Sequence, residues 1–90
     1  MREETTDVTI TNPMGLHLRT GKEVVQVANQ FDADITAQNL TRTSPIVNVK
    51  SILQIMQLQA RQGHTLRLHA TGQDAAAAVA ALTILFQSIQ

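Results

Sequence analysis

Short segments in which apolar and polar residues alternate constrain the fold of this chain more than any other feature. The alternation runs through residues 8–11, 35–38 and 66–71. A period of two gives a β-strand one buried face and one solvated face. A fourth candidate strand, residues 46–49, follows Pro45, which suits the start or the edge of a strand. We therefore predict four strands, each with a single apolar face.

Three segments with helical spacing lie between or after these strands. The first carries Val24, Ala28 and Phe31, and the others run over about 52–61 and 74–88. The predicted order is β-α-β-β-α-β-α. Because each strand has one apolar face, all three helices must cover the same side of the sheet. We predict an α+β fold, an open-faced two-layer β-sandwich with a four-stranded, mostly antiparallel sheet and three helices on one face.

The ends of the second and third helices carry recognisable signals. Ser51 is a good N-cap, and Gln54 three residues later completes a capping-box pattern. Gly63 lies where a glycine often ends a helix. We place Asp74 in the first turn of the third helix, where a negative charge suits the helix dipole. The sequence shows no linker and no internal repeat, so we expect residues 1–90 to form a single domain.

Charge and residue types exclude several classes of function. Seven basic and seven acidic residues balance, and Tyr and Trp are absent, so nucleic-acid binding is not expected. The chain has no cysteine, and His17, His64 and His69 show no metal-binding spacing. His64 and His69 fit solvated surface positions, the latter on the wet sheet face beside Arg67. We expect no cofactor and no metal.

Location and size point to a small protein that works with partners. The longest apolar run, near residues 75–86, is too short to span a bilayer, and residues 1–7 lack an apolar signal core. We expect a cytoplasmic monomer without membrane insertion. A chain of 90 residues is too short for a deep enclosed cleft, so a transfer intermediate fits better than a free-standing enzyme.

The segment that joins the first strand to the first helix carries the strongest chemical signal. Asn12, Pro13 and Gly15 favour a loop, which places His17 at the N-terminus of the helix. Unpaired N–H groups and partial positive charge make that end an anion site. Arg19 adds a guanidinium suited to phosphate. The site predicts phosphoryl transfer on His17, although a simple polar cap is an alternative reading of the same residue.

Three segments resemble HPr, the phosphocarrier protein of the bacterial sugar phosphotransferase system. The family's phosphohistidine loop, typically Gly-Leu-His-Ala-Arg-Pro, resembles Gly15-Leu16-His17-Leu18-Arg19. Residues 47–53 resemble the segment around the family's regulatory serine, and Gly72-Gln73-Asp74 resembles the start of its last helix. The resemblance implies that His17 accepts a phosphoryl group from phosphorylated enzyme I, with Arg19 assisting. His17 would then pass it to a sugar-specific enzyme II or a related acceptor.

The chain departs from the family pattern beside the histidine. Leu18 replaces a small residue and Thr20 replaces proline, which presets the backbone of a first helical turn. We expect Thr20 and Gly21 to make this turn more flexible and phosphoryl transfer slower. A regulatory HPr relative that acts by protein binding is therefore the alternative function.

The resemblance also assigns a regulatory serine and a docking surface. Ser51 corresponds to the serine that an HPr kinase/phosphatase modifies, although N-capping alone also accounts for a serine there. In the family, residues that flank the histidine and residues of the second helix dock onto enzyme I and enzymes II. The corresponding predicted docking residues are Leu18, Thr20, Ile52, Leu53 and Met56. The alternative is that a small domain buries these side chains more fully than their spacing indicates.

Overall fold

The computed structural model describes residues 2–89. Its elements follow the predicted order, and a short 3₁₀ turn extends the second helix. They are β1 (Glu3–Thr9), α1 (Leu18–Ala28), β2 (Asp34–Asn39), β3 (Val47–Asn48), α2 (Ile52–Ile55) with its 3₁₀ turn (Met56–Leu58), β4 (Thr65–Thr71) and α3 (Ala75–Ser88).

The four strands form one antiparallel sheet in the order β1-β4-β2-β3. The register between β1 and β4 runs from the pair Glu3 and Thr71 to the pair Thr9 and Thr65. On its other side β4 pairs with the whole of β2. The last strand therefore lies at the centre of the sheet, beside the first.

One face of the sheet forms the core with the helices, as the alternation predicts. Leu66, Leu68 and Ala70 of β4 are fully buried, and so are Val24 of α1 and Leu82 of α3. The opposite face carries polar side chains and is called the open face below; it includes Thr5, Thr36, Gln38, Arg67 and His69. The predicted α+β sandwich is confirmed. Within residues 2–89, none of the helices has both the length and the apolar character of a membrane span.

The first strand begins earlier than the alternation predicts. Its added residues, from Glu3 onward, are mostly exposed, so they carry no apolar signal. Long-range pairing with β4 makes them a strand. Ile10 lies beyond the last residue of β1, yet its N–H donates to the His64 carbonyl at 2.9 Å and its carbonyl accepts from Gly63 N–H at 2.7 Å.

The second helix is shorter than predicted, and Gly63 does not end it. The 3₁₀ turn stops at Leu58, and Gln59 takes the left-handed conformation at the C-terminus, with φ of 46°. Gly63, with φ of 89°, lies instead in the turn that leads into β4. Leu58 and Ala60 are buried, and the Leu58 carbonyl accepts the Asn39 amide of β2 at 3.0 Å, so apolar spacing alone overestimates the length of this helix.

Asp74 is the N-cap of α3 and does not lie in its first turn. Its carboxylate does not cap this helix. It accepts hydrogen bonds from the backbone N–H groups of Asp32 and Ala33, both at 2.8 Å. Asp74 thus ties the beginning of α3 to the turn between α1 and β2.

Candidate functional site

His17 lies immediately before α1, as predicted. It is the N-cap residue, with extended backbone, and its carbonyl accepts the Gly21 N–H at 2.7 Å. The N–H groups of Leu18 and Arg19, the first two residues of the helix, have no partner within it. These groups and the helix dipole create a site for negative charge beside the histidine.

The imidazole ring of His17 is half-buried and lies beside the Thr20 N–H in a capping-box arrangement. None of the side-chain hydrogen bonds among residues 2–89 ties the ring to another part of the chain. A neutral imidazole has one nitrogen with a free lone pair, which can act as a nucleophile. The backbone of the residue is fixed by its bonds to Thr20 and Gly21, whereas the ring has only local contacts with the first turn of α1.

The loop before His17 is built by Asn12 and Gly15. The Asn12 amide donates to the Gly15 carbonyl at 2.7 Å, and Gly15 N–H donates to the Asn12 carbonyl at 3.1 Å. Gly15 has φ of 66°, a conformation that suits glycine. Next to it, Leu16 N–H donates to the Ala60 carbonyl at 2.9 Å. The loop therefore rests on the segment that follows α2.

Thr20 is 2% exposed and binds the backbone of His17, so the structure corrects the prediction that Thr20 is a docking residue. Its hydroxyl accepts a hydrogen bond from His17 N–H at 3.0 Å and donates one to the His17 carbonyl at 3.1 Å. A buried side chain cannot serve as a docking contact. These two bonds connect Thr20 to the residue that immediately precedes the helix.

Arg19 is exposed in the first turn of α1, two residues after His17. Within residues 2–89, Asp7 forms an ion pair with Arg67, and His69 lies within hydrogen-bonding distance of Glu3. The Arg19 guanidinium takes part in neither pair, and it is available to an anion bound at the helix N-terminus.

Gly21 brings α2 close to the beginning of α1. A Cβ added at Gly21 would lie 2.5 Å from Met56 Cε and 3.2 Å from Ile52 Cδ1. Ile52 and Met56 are half-buried because they pack into this space. These two predicted docking residues are therefore partly buried, which agrees in part with the alternative that a small domain buries such side chains more fully than their spacing indicates.

The other predicted docking residues point into solvent. Leu53 is 80% exposed and Leu18 is 56% exposed. Met14, which belongs to none of the predicted site residues, is 75% exposed in the His17 loop. An apolar residue between Pro13 and Gly15 in a turn is the signal that would have found it. We name Met14, Leu18, Ile52, Leu53 and Met56 the apolar patch.

Ser51 is the N-cap of α2, and its hydroxyl accepts the Gln54 N–H at 3.3 Å. The predicted capping box is incomplete, because the Gln54 side-chain oxygen accepts from Asn48 N–H at 2.8 Å rather than from Ser51. The half-buried Ser51 immediately precedes Ile52 and Leu53 of the apolar patch.

The two remaining histidines are hydrogen-bonded rather than merely solvated. His69 lies on the open face, as predicted, and its Nε2 is 3.0 Å from Glu3 Oε1. His64 Nδ1 lies 3.0 Å from the Asn39 amide nitrogen and accepts Arg61 N–H at 3.2 Å. A depression of about 230 Å³ on the open face, lined in part by His69, includes no residue of the His17 loop.

The sequence of this chain matches a known family over nearly its whole length. A family model described as "PTS HPr component phosphorylation site" matches residues 4–88. The phosphocarrier protein HPr of Xylella fastidiosa (strain Temecula1) is 37% identical over 82 residues, which cover 91% of this chain and 89% of that protein. The multiphosphoryl transfer protein of Haemophilus influenzae is 45% identical over 74 residues, or 82% of this chain.

The chain spans between 15% and 21% of the length of the multiphosphoryl transfer proteins that it matches. Its fold is also similar to that of solved HPr structures. The crystal structure of HPr from Bacillus anthracis superposes with a TM-score of 0.83 at 32% identity, covering 92% of this chain and 95% of that chain. The chain therefore belongs to the HPr family, the phosphocarrier proteins of the phosphotransferase system.

Proposed function

We propose that His17 accepts a phosphoryl group from phosphorylated enzyme I and passes it to a sugar-specific enzyme II or a related acceptor. The observation that carries the proposal is the position of His17 as the N-cap of α1, beside the first-turn N–H groups and the exposed Arg19. Membership of the HPr family supports the same role.

The transfer needs little from the chain beyond position and charge. The lone pair of a His17 ring nitrogen attacks phosphorus, a P–N bond forms, and the bond from phosphorus to its donor atom on enzyme I breaks. The donor atom keeps that electron pair. The N–H groups of the first turn of α1 and the Arg19 guanidinium then stabilise the phosphoryl oxygens on His17.

The apolar patch is the proposed docking surface for both partners. Its exposed members, Leu18, Leu53 and Met14, offer apolar area that a partner can bury. Ile52 and Met56 pack against Gly21 and so attach this area to α1, whose N-cap is His17. A partner seated there reaches His17 and excludes water from the transfer.

We also propose that residues 1–90 act as one domain, as a monomer in the cytoplasm. The family match over residues 4–88 supports the single domain. Its relatives include a separate HPr protein and a longer multiphosphoryl transfer protein. They support a role in phosphoryl transfer between protein partners, for a separate domain or for one within a longer polypeptide.

A second candidate function is regulation by protein binding, under control of Ser51 phosphorylation by an HPr kinase/phosphatase. The observation that favours it is the place of Ser51 immediately before Ile52 and Leu53 of the apolar patch. A phosphate on Ser51 would add negative charge beside an apolar docking surface and change which partners bind.

Phosphorylation by enzyme I tests the carrier function directly. The protein is incubated with phosphoenolpyruvate, magnesium and enzyme I from the same source, and intact mass is followed. We expect an acid-labile phosphoryl adduct that is lost in His17→Ala, slowed in Arg19→Ala and unchanged in the control His69→Ala. The absence of labelling, or labelling of His17→Ala, would overturn the proposal. An acid-stable adduct that requires a kinase and is lost in Ser51→Ala would support the regulatory function.

A further inference from the structure

We propose that His64 and Asn39 are positioning residues for the His17 loop, and that they act through the segment 58–61. Neither residue touches His17, and neither belongs to the segments that resemble the family's motifs. The inference rests on the proposed function, because it concerns the accuracy with which His17 is presented for transfer.

Asn39 is fully buried, and its side-chain amide uses all of its hydrogen-bonding capacity. The oxygen accepts the N–H groups of Thr41 at 3.1 Å and Arg42 at 3.4 Å. These two donors fix the orientation of the amide, so its nitrogen faces the other way. It donates to the Leu58 carbonyl and to His64 Nδ1, both at 3.0 Å.

His64 Nδ1 is the point at which two donors meet. It accepts the Arg61 N–H at 3.2 Å as well as the Asn39 amide, so the ring carries its hydrogen on Nε2. The backbone closes the same turn, because His64 N–H donates to the Arg61 carbonyl at 3.0 Å. The ring of His64 thereby fixes the turn 61–64 to a buried residue of β2.

Ala60 connects this network to the reacting histidine. It lies between Leu58 and Arg61, the two residues that Asn39 and His64 hold. Its carbonyl accepts Leu16 N–H at 2.9 Å, one residue before His17. A Cβ added at Gly15 would lie 2.6 Å from the same carbonyl oxygen, so the contact leaves no space for adjustment. The position of the Ala60 carbonyl therefore sets the position of the His17 loop.

Phosphoryl transfer is sensitive to such positioning, because a misplacement of about 1 Å can reduce a rate about a hundredfold. Loss of the His64 acceptor would leave the Arg61 N–H and one N–H of the Asn39 side-chain amide without a partner. The segment 58–61 would then shift, and Leu16 would lose its fixed partner while His17 itself stays intact.

Amide hydrogen exchange of Leu16 tests this without any partner protein. His64→Leu removes the acceptor, whereas His64→Asn offers a side-chain oxygen near the place of Nδ1. We expect His64→Leu to speed Leu16 exchange about tenfold relative to Leu68 at the centre of β4, the effect of one lost hydrogen bond. We expect His64→Asn to restore most of the protection. His69→Leu, a matched change on the open face, should not alter the ratio of Leu16 to Leu68 exchange.

Each outcome decides one point. Equal acceleration at Leu16 and Leu68 would reduce His64 to a contributor to global stability and overturn the proposal, as would unchanged Leu16 exchange. Enzyme I labelling provides the second readout, in which His64→Leu should label His17 several-fold more slowly and His64→Asn close to the wild-type rate. Selective Leu16 exchange with unchanged labelling would overturn the positioning role. Failure of the wild type to label would overturn the proposed function, and Leu16 exchange would still show whether His64 holds the loop.

Discussion

Thr20 holds His17 at both of its backbone polar groups, accepting its N–H at 3.0 Å and donating to its carbonyl at 3.1 Å. We expect Thr20→Val, which keeps the shape but loses the hydroxyl, to lower the free energy of unfolding by about 1–2 kcal/mol. Urea unfolding measures this change. Thr20→Ser is the control, since it retains both bonds, and equal stability of the two variants would contradict the role assigned to the hydroxyl.

Gly15 combines a positive φ with a close backbone contact. At φ of 66° a side chain is strained, and its Cβ would lie 2.6 Å from the Ala60 carbonyl oxygen. We expect Gly15→Ala to destabilise the protein by about 2–4 kcal/mol, from strain and steric conflict together, and to slow labelling of His17.

The chain contains a matched control for this change. Gly63 also has a positive φ, 89°, but a Cβ added there meets nothing within 4 Å. Gly63→Ala should therefore cause strain alone, about 1–2 kcal/mol. If thermal unfolding shows equal losses for the two variants, the contact with Ala60 is not what makes Gly15 necessary.

Leu53 is 80% exposed, so its role in docking can be separated from stability. We expect Leu53→Ser to change the free energy of unfolding by less than about 0.5 kcal/mol. When enzyme I is present in limiting amount, this variant should be labelled about tenfold more slowly, which is the effect of losing one moderate interface contact. Ile46→Ser is the control, because Ile46 is 67% exposed but lines the depression on the open face. Similar transfer rates for both variants would remove Leu53 from the docking surface.

Gln59 ends the 3₁₀ turn in the left-handed region, with φ of 46°. Glycine adopts this conformation without the steric conflict that a Cβ brings. We expect Gln59→Gly to raise the free energy of unfolding by about 0.5–1 kcal/mol. Gln57→Gly, inside the turn, should lower it instead. A destabilised Gln59→Gly in chemical denaturation would show that the Gln59 side chain matters more than its backbone.

Asp7 and Arg67 form two hydrogen bonds across the open face, at 2.9 Å and 3.1 Å. The hydrogen bond from Arg67 is the main reason why the pKa of Asp7 lies below its usual value of 3.8. The resulting stabilisation is present above the unfolded-state pKa and is lost as the pH falls through the lower folded-state pKa. It is small, because both side chains are exposed.

Asp7→Asn removes this pH dependence. We expect its urea midpoint to lie slightly below that of the wild type at about pH 7, and the difference to shrink as the pH falls and Asp7 of the wild type becomes protonated. A difference that persists in acid would mean that Asp7 stabilises the sheet by something other than its charge.

Local periodicity predicted the elements whose buried faces are formed by neighbouring residues. The alternation of Leu66, Leu68 and Ala70 identified β4, and the position of His17 followed from the loop residues before α1. The open face was predictable for the same reason, since polar residues at alternate positions mark the side that no helix covers.

The wrong predictions share a physical cause, which is a contact with a distant part of the chain. The polar residues from Glu3 onward become a strand because β4 pairs with them. The second helix stops early because Asn39 takes the Leu58 carbonyl. Thr20 was predicted to be a docking residue from its place near His17. A sequence does not show whether a threonine hydroxyl binds the backbone, as here, or is exposed to solvent.

The strand order has a consequence for folding of the chain during its synthesis on the ribosome. β1 pairs with β4, which is made after more than half of the chain has followed it. At about 5–20 residues per second, a nascent chain waits several seconds for that partner. Helix α1, with 11 residues, is too short to be stable alone until then. The Ala60 carbonyl that fixes the His17 loop also emerges late, so the proposed phosphoryl acceptor takes shape with the last strand.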